Sequence, residues 1–236
     1  MLDKKFWKKY FTVYDVLNIV IPYKELMSTI CDKADVKKGD LILDAGSGTG
    51  NLSLELVHRG ATVYATDFIK EGLDIYKEKN QNAIAIQHDL TERLPFPDDF
   101  FDKIVSNNVL YSVSKKDRRF VISELYRVLK PGGKIVISNI KSGWSPYRIY
   151  LSHLVKEYNN SGPFILLVRI VRFIFPTMMM FLYNAKIKRD SGAGGGYNFF
   201  ESGEQRNLLI NGNFRRVSED VEVYADQAIL NTGFKI

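Results

Sequence analysis

The segment that most constrains this chain is Leu41-Ile-Leu-Asp-Ala-Gly46-Ser-Gly48-Thr-Gly50-Asn51. A short apolar run enters a cluster of glycines, and a helical stretch, Leu52 to Arg59, follows at once. That order reads as a buried strand, a tight turn and a helix, the opening unit of a parallel α/β sheet. The rhythm then repeats. Thr62–Thr66, Ala83–Gln87, Lys103–Asn107 and Lys134–Asn139 are further short, nearly continuous apolar runs, as expected for strands covered on both faces. The clearest intervening helix runs from Ser114 to Lys130, with capping-box spacing from Ser114 to Asp117 and an apolar stripe through Val121, Leu125, Val128 and Leu129. Pro131-Gly132-Gly133 ends it and turns the chain. The pattern predicts a doubly wound α/β sheet over residues 37–140.

The glycine loop has its own chemistry. Gly46 allows a tight turn and close approach of a ligand to the backbone, and the helix behind it offers free N–H groups. A dinucleotide loop places glycine at its first, third and sixth positions. Here they stand at the first, third and fifth, and Asn51 is the sixth. Asp44, just before the loop, would repel a pyrophosphate and attract an ammonium. Asp67 lies 21 residues after Gly46 at the end of the second strand, a spacing that lets a carboxylate accept both hydroxyl hydrogens of a ribose. Phe68 follows, suited to an adenine face. The bland alternatives are a ligand-free turn, an exposed turn aspartate and a core phenylalanine.

Further on stand Leu94-Pro-Phe-Pro-Asp-Asp-Phe-Phe-Asp102 and Glu124-Leu-Tyr-Arg-Val-Leu-Lys-Pro-Gly-Gly-Lys-Ile-Val-Ile137. With the Asp44–Gly50 loop, and in this order, they resemble the motifs of class I S-adenosylmethionine-dependent methyltransferases over residues about 36 to 140. The resemblance implies a Rossmann-like seven-stranded mixed sheet with its last strand antiparallel. It implies S-adenosyl-L-methionine as cofactor and S-adenosyl-L-homocysteine as product. It assigns Asp44, Gly46, Ser47, Gly48 and Gly50 to the amino-acid part of the cofactor and Asp67 to its ribose. Asp89 would meet the adenine amino group and the Leu90 N–H a ring nitrogen; Asp89 capping its own turn is the alternative. Asn107, at the exit of the fourth strand, is a cofactor-edge candidate, and Tyr111 a candidate wall of the transfer channel or a packed core aromatic. Asp102 reads as orienting the strand start. The branch resembled includes ubiquinone and menaquinone C-methyltransferases; Tyr14-Asp-Val-Leu-Asn18 is similar to their YDxxN stretch, whereas Asn107-Asn-Val-Leu-Tyr-Ser-Val113 departs from their pattern.

The flanks should choose the acceptor. Residues 1–36 read as a helical cap with apolar residues from Phe6 to Ile21 on one face and a break at Pro22. Residues 141–204 read as an inserted helical lid, and 205–236 as the final strands, 214–224 and 227–236, joined at Ala225-Asp226. Phe164 to Tyr183 is a strongly apolar run, but Arg169, Arg172 and Pro176 interrupt it, which argues against a stable membrane span. Three readings stay open for it: a helix closing an acceptor pocket with Met178, Met179 and Met180 as an adaptable wall, plain core, or a membrane-skimming face helped by the N-terminal lysines. Gly192–Gly196 reads as a flexible loop that lets the lid move. Tyr147 and His153 lie in the region for a general base, if one is used.

Composition narrows the rest. The single Cys31 excludes an internal disulfide and a cysteine zinc site, and His58, His88 and His153 show no metal spacing. The net charge of +6 fits a solvated basic surface; without an Arg-rich arm or a nucleic-acid motif it does not call for a nucleic-acid partner. The basic start MLDKKFWKKYF lacks a signal-peptide core, so a cytoplasmic protein, at most peripheral to a membrane, is expected. The expected function is methyl transfer to a small, partly apolar molecule, lipid-like ones included. A cofactor-binding sensor or assembly subunit is the second reading, and a nicotinamide enzyme, disfavoured by the glycine spacing and Asp44, the third.

Overall fold

Five short apolar runs pair side by side as parallel strands: β1 (Leu41–Ala45), β2 (Thr62–Asp67), β3 (Ile84–Gln87), β4 (Phe101–Asn107) and β5 (Leu129–Ile140). Two more, β6 (Val221–Val223) and β7 (Ala228–Phe234), complete a seven-stranded sheet in the order β3-β2-β1-β4-β5-β7-β6. β7 is antiparallel to both β5 and β6. The structure, a computed structural model, describes residues 4–192 and 197–236. Helices α3 (Asn51–His58), α4 (Lys70–Lys79), α5 (Lys115–Val128) and α7 (Glu204–Asn211) connect or cover the strands. The order reverses between β1 and β4, so the crevice beyond their carboxyl ends is where such a sheet takes a ligand. Asp102 fixes the start of that pair, accepting the Leu41 N–H at 2.9 Å and the Lys130 ammonium at 2.6 Å.

The N-terminal cap divides into two helices just before Pro22, with extended backbone at Val20. α1 (Lys4–Tyr14) ends in a 3-10 turn over Asp15–Ile19, and Pro22 sits in the first turn of α2 (Ile21–Ala34), where a missing N–H costs nothing. Several details depart from the local pattern. Ser114 makes no capping box: its hydroxyl donates to the Asp117 carboxylate at 2.6 Å rather than completing backbone caps. Pro131-Gly132-Gly133 lies within β5, looped out where Phe101 pairs with Leu129 but Lys103 with Lys134. The strand expected over 214–224 shrinks to β6: upstream, Arg215 bridges Phe234 but Arg216 takes left-handed backbone, and downstream Tyr224, Ala225 and Asp226 form the left-handed turn into β7.

The run after β5 is α6 (Pro146–Gly192), bent at Gly162, where φ is 75° and ψ 172°. Glu157 and Arg169 pair at 2.5 Å near the bend, and the Tyr150 and Phe181 rings meet at 5.7 Å further from it. The two arms therefore fold back on each other as a hairpin. Plain core is not what the hairpin forms, since only 6% of its most apolar window is buried. Residues 193–196 of the glycine-rich loop fall outside the described residues.

Candidate functional site

The glycine loop closes the crevice from below. Gly46 and Gly50 have φ of +84° and +76°. A Cβ on Gly46 would stand 2.2 Å from Val109 Cγ2, and one on Gly50 2.1 Å from the Tyr76 ring. Both positions therefore exclude any side chain, by conformation and by space. The N–H groups of Gly46 and Ser47 donate to the Thr66 carbonyl at 2.8 and 2.9 Å, which ties the loop to β2. The Tyr14–Asn18 stretch ties it to the cap. Asp15 accepts the Thr49 hydroxyl at 2.9 Å and pairs with Lys79 at 2.6 Å, while Asn18 donates to Asn51 at 3.0 Å.

Two carboxylates define the electrostatics. Asp44 is 1% exposed and accepts the Ser53 hydroxyl at 2.6 Å. Burial pushes its carboxyl up to about 7; Ser53 opposes the rise and the nearby Asp67 adds to it. Asp67, half-buried at the end of β2, accepts the Gly48 and Ile69 N–H groups, each at 2.8 Å. Desolvation pushes it up to about 6 against those hydrogen bonds. Two carboxyls whose anions are short of solvation are poised for a ligand that brings an ammonium and hydroxyl donors.

Both line one cavity of about 440 Å³. Gly46, Ser47, Gly48, Phe68, Leu90 and Asn107 share that end, and Asp89 joins them. Asp89 also caps its turn, accepting the Thr91 N–H at 2.9 Å and hydroxyl at 2.7 Å, the alternative reading of this residue. Gly50 stands outside the cavity and acts through the loop's shape. Ser47 Oγ, His88 Nε2, Asn107 Oδ1 and Asn108 Oδ1 are buried without a protein partner, and all four residues line this cavity. Native interiors rarely leave such atoms unpaired, so this wall fits a polar ligand. A ligand with an amino acid, a ribose and an adenine matches these acids, amides and the Phe68 face.

The other end is aromatic. Tyr10, Phe11 and Tyr14 of the cap face Tyr111, Trp144 and Tyr197, with Met180 and Ile187 of α6 above. Tyr111 is buried beside Tyr197 and Phe199, at ring distances of 5.9 and 5.4 Å. Its backbone N–H donates to Asn139 Oδ1 at 3.3 Å, and Asn139 in turn donates to Gln205 at 2.7 Å. Arg118, 2% exposed, clamps both aromatic walls. It donates to the carbonyls of Leu110 and Asn198, pairs with Glu204 and stacks 4.1 Å from the centre of Phe200. The two base candidates are not brought into the cavity. Tyr147 is 62% exposed, and His153 is buried behind the wall, accepting the Ile21 N–H at 3.4 Å. Of the three methionines only Met180 lines the cavity; Met178 is exposed. The aromatic stripe of α1 is the signal that marks the cap side of this chamber in the sequence. No local signal marks Trp144, Tyr197 or Tyr224, which arrive from distant loops.

The reversed sheet order, the acidic residue before a glycine loop and the acids ending β2 and following β3 are features of class I S-adenosylmethionine-dependent methyltransferases. In them the chain is similar to that family, and S-adenosylmethionine is the cofactor they fit. Residues 43–137 match the methyltransferase domain family. The chain is 34% identical over 129 residues to a demethylmenaquinone methyltransferase of Streptomyces avermitilis, covering 54% of each chain. It is 33% identical over 135 residues to a ubiquinone/menaquinone biosynthesis C-methyltransferase of Francisella tularensis subsp. holarctica, covering 54% of this chain and 52% of that one. It thus spans about half the length of the curated relatives it matches. In fold it is similar over the whole of both chains to a SAM-dependent methyltransferase from Aquifex aeolicus, with a TM-score of 0.63 at 19% identity.

Proposed function

We propose that the protein transfers a methyl group from S-adenosylmethionine to a small, apolar, lipid-like acceptor at the cytoplasmic side of the cell. One observation carries this reading: the cofactor residues and an aromatic chamber line the same continuous cavity. The relatives named for ubiquinone and menaquinone biosynthesis support an apolar acceptor. The departure at Asn107–Val113 speaks against a commitment to a quinone.

S-adenosylmethionine supplies a methyl already activated on a sulfonium, so the protein's task is to bind, orient and exclude water. Asp44 would neutralise the ammonium through the loop, Asp67 would accept the ribose hydroxyls, and Asp89 with the Leu90 N–H would read the adenine edge beside Phe68. Asn107 would border the sulfonium end. Tyr10, Tyr14, Tyr111 and Trp144 would hold the acceptor in a dry chamber. Burial holds the Tyr111 hydroxyl well above its usual value, so at neutral pH it keeps its proton and serves as a donor rather than a base. On this reading residues 1–36 cap the chamber, 37–140 bind the cofactor, 141–204 cover the acceptor and 205–236 finish the sheet.

The test is label transfer. Purified protein is incubated with methyl-labelled cofactor and with the aqueous and organic fractions of a cell extract. Label should enter an organic-soluble compound that gains one methylene mass. Tight binding of S-adenosylhomocysteine with no label in either fraction would instead make the chain a binder without transfer.

A further inference from the structure

The second arm of α6 is apolar on two opposite faces. Leu166, Ile170, Phe173, Thr177, Met180 and Asn184 recur at alternating four- and three-residue steps and are half-buried or buried; the last three line the cavity. Two positions out of phase, Phe164, Val168, Val171, Phe175, Met178 and Leu182 follow the same steps and are between 50% and 77% exposed. Two residues along a helix turn about 200°, so the second stripe points directly away from the protein. The first arm adds Tyr147, Leu151, Val155 and Tyr158. Together the arms hold 13 of the 18 exposed large apolar side chains among the described residues. Surfaces of this extent mark a partner.

The charge around the hairpin indicates which partner. α1 packs on the second arm, with Phe6 and Tyr183 at 5.4 Å and the Lys186 ammonium 5.2 Å over the Phe6 ring. α1 and residues 146–192 together carry eleven of the chain's 33 Lys and Arg residues but only two of its 27 Asp and Glu residues. The remainder of the chain has an acidic excess. Of the eleven, Lys8 pairs with Glu71 at 3.6 Å, Lys156 with Glu25 at 2.5 Å and Arg169, inside the apolar run, with Glu157 at 2.5 Å. An apolar face with a basic border complements an anionic lipid surface, whereas a second copy would set two basic borders against each other.

We propose that the α6 hairpin docks along its outer face into the headgroup region of an anionic bilayer. Because Met180 lines the cavity and Met178 faces outward on the same helix, docking sets the leaflet about one helix width, ~10 Å, from the acceptor chamber. This binding does not depend on methyl transfer, and its test reads no activity.

The experiment is flotation of the purified chain with phosphatidylcholine–phosphatidylglycerol vesicles and with phosphatidylcholine vesicles alone, at low and high salt. Wild type should float with the mixed vesicles, less with the neutral ones, and less again at high salt. Phe175→Glu and Val171→Asp should each lower partitioning about tenfold or more. S-adenosylhomocysteine titration of each variant reports that it is folded, and Val168→Ser is the milder variant if one is not. The proposal is overturned if wild type stays in solution with mixed vesicles at low salt, or if folded Phe175→Glu floats as well as wild type. It is also overturned if wild type sediments as a dimer that Phe175→Glu dissociates and does not bind vesicles, which would assign the face to a second copy.

Discussion

Replacing Asp44 by Asn should stabilise the free chain while weakening cofactor binding, and the first effect should depend on pH. The side chain is 1% exposed, and burial raises its carboxyl from 3.8 to about 7. A rise of that size is worth about 4 kcal/mol in favour of the neutral acid. The folded value lies above the unfolded one. The favourable contribution is therefore complete below the unfolded pKa and is lost as pH rises through the folded pKa, at about 1.4 kcal/mol per pH unit in between. Asn is neutral throughout and keeps an oxygen for the Ser53 hydroxyl. Its advantage over Asp should be roughly 1–3 kcal/mol near pH 8 and should shrink by roughly 2–3 kcal/mol near pH 5. Urea unfolding at both pH values measures this, with equal m-values required for the comparison. Calorimetric titration with S-adenosylhomocysteine should show about ten- to a hundredfold weaker binding, the size of a lost charge-assisted contact. An equal displacement of the midpoint at both pH values, or a loss of stability near pH 8, would refute the claim that the fold desolvates this carboxylate.

Asp67→Ala should weaken S-adenosylhomocysteine binding about ten- to a hundredfold; unchanged affinity in a folded variant would remove its ribose role. Wild-type affinity should fall as pH drops below about 7, because Asp44 and Asp67 take up protons there and the ligand binds their anions; a flat titration between pH 8 and about 5 would contradict this. Arg118→Met should cost about 3–5 kcal/mol in urea unfolding, since it strands the Leu110 and Asn198 carbonyls and Glu204; a loss below about 1 kcal/mol would mean that the clamp is ornamental. Tyr147→Phe should leave label transfer unchanged, because the side chain is exposed outside the cavity; a large fall in turnover at constant cofactor affinity would return it to the chemistry.

The core was legible in the sequence because its signals are local. Gly46 and Gly50 announce a turn that no other residue can make, and Asp67 follows at a distance fixed by one helix and one strand. The failures share a cause of the opposite kind. Pro22 announces the second helix, but nothing local announces that the first tightens into a 3-10 turn at Asp15, which is held by Thr49, 34 positions away. Ser114 has the spacing of a capping box, but its hydroxyl donates to the nearby Asp117 carboxylate instead of completing it. The strand expected over 214–224 starts late, at Val221, because Arg216 takes left-handed backbone just after Arg215 has bridged the distant Phe234. The hairpin is the extreme case. Periodicity identifies Phe164 to Leu182 as an apolar helix, and the inner stripe has its partner in this chain. The outer stripe repeats the same spacing two residues out of phase, so no pattern within the helix tells a face turned to protein from one turned to lipid. What separates them is the charge beside the stripes: lysines on a helix far upstream in the chain, brought next to Tyr183 only by the fold.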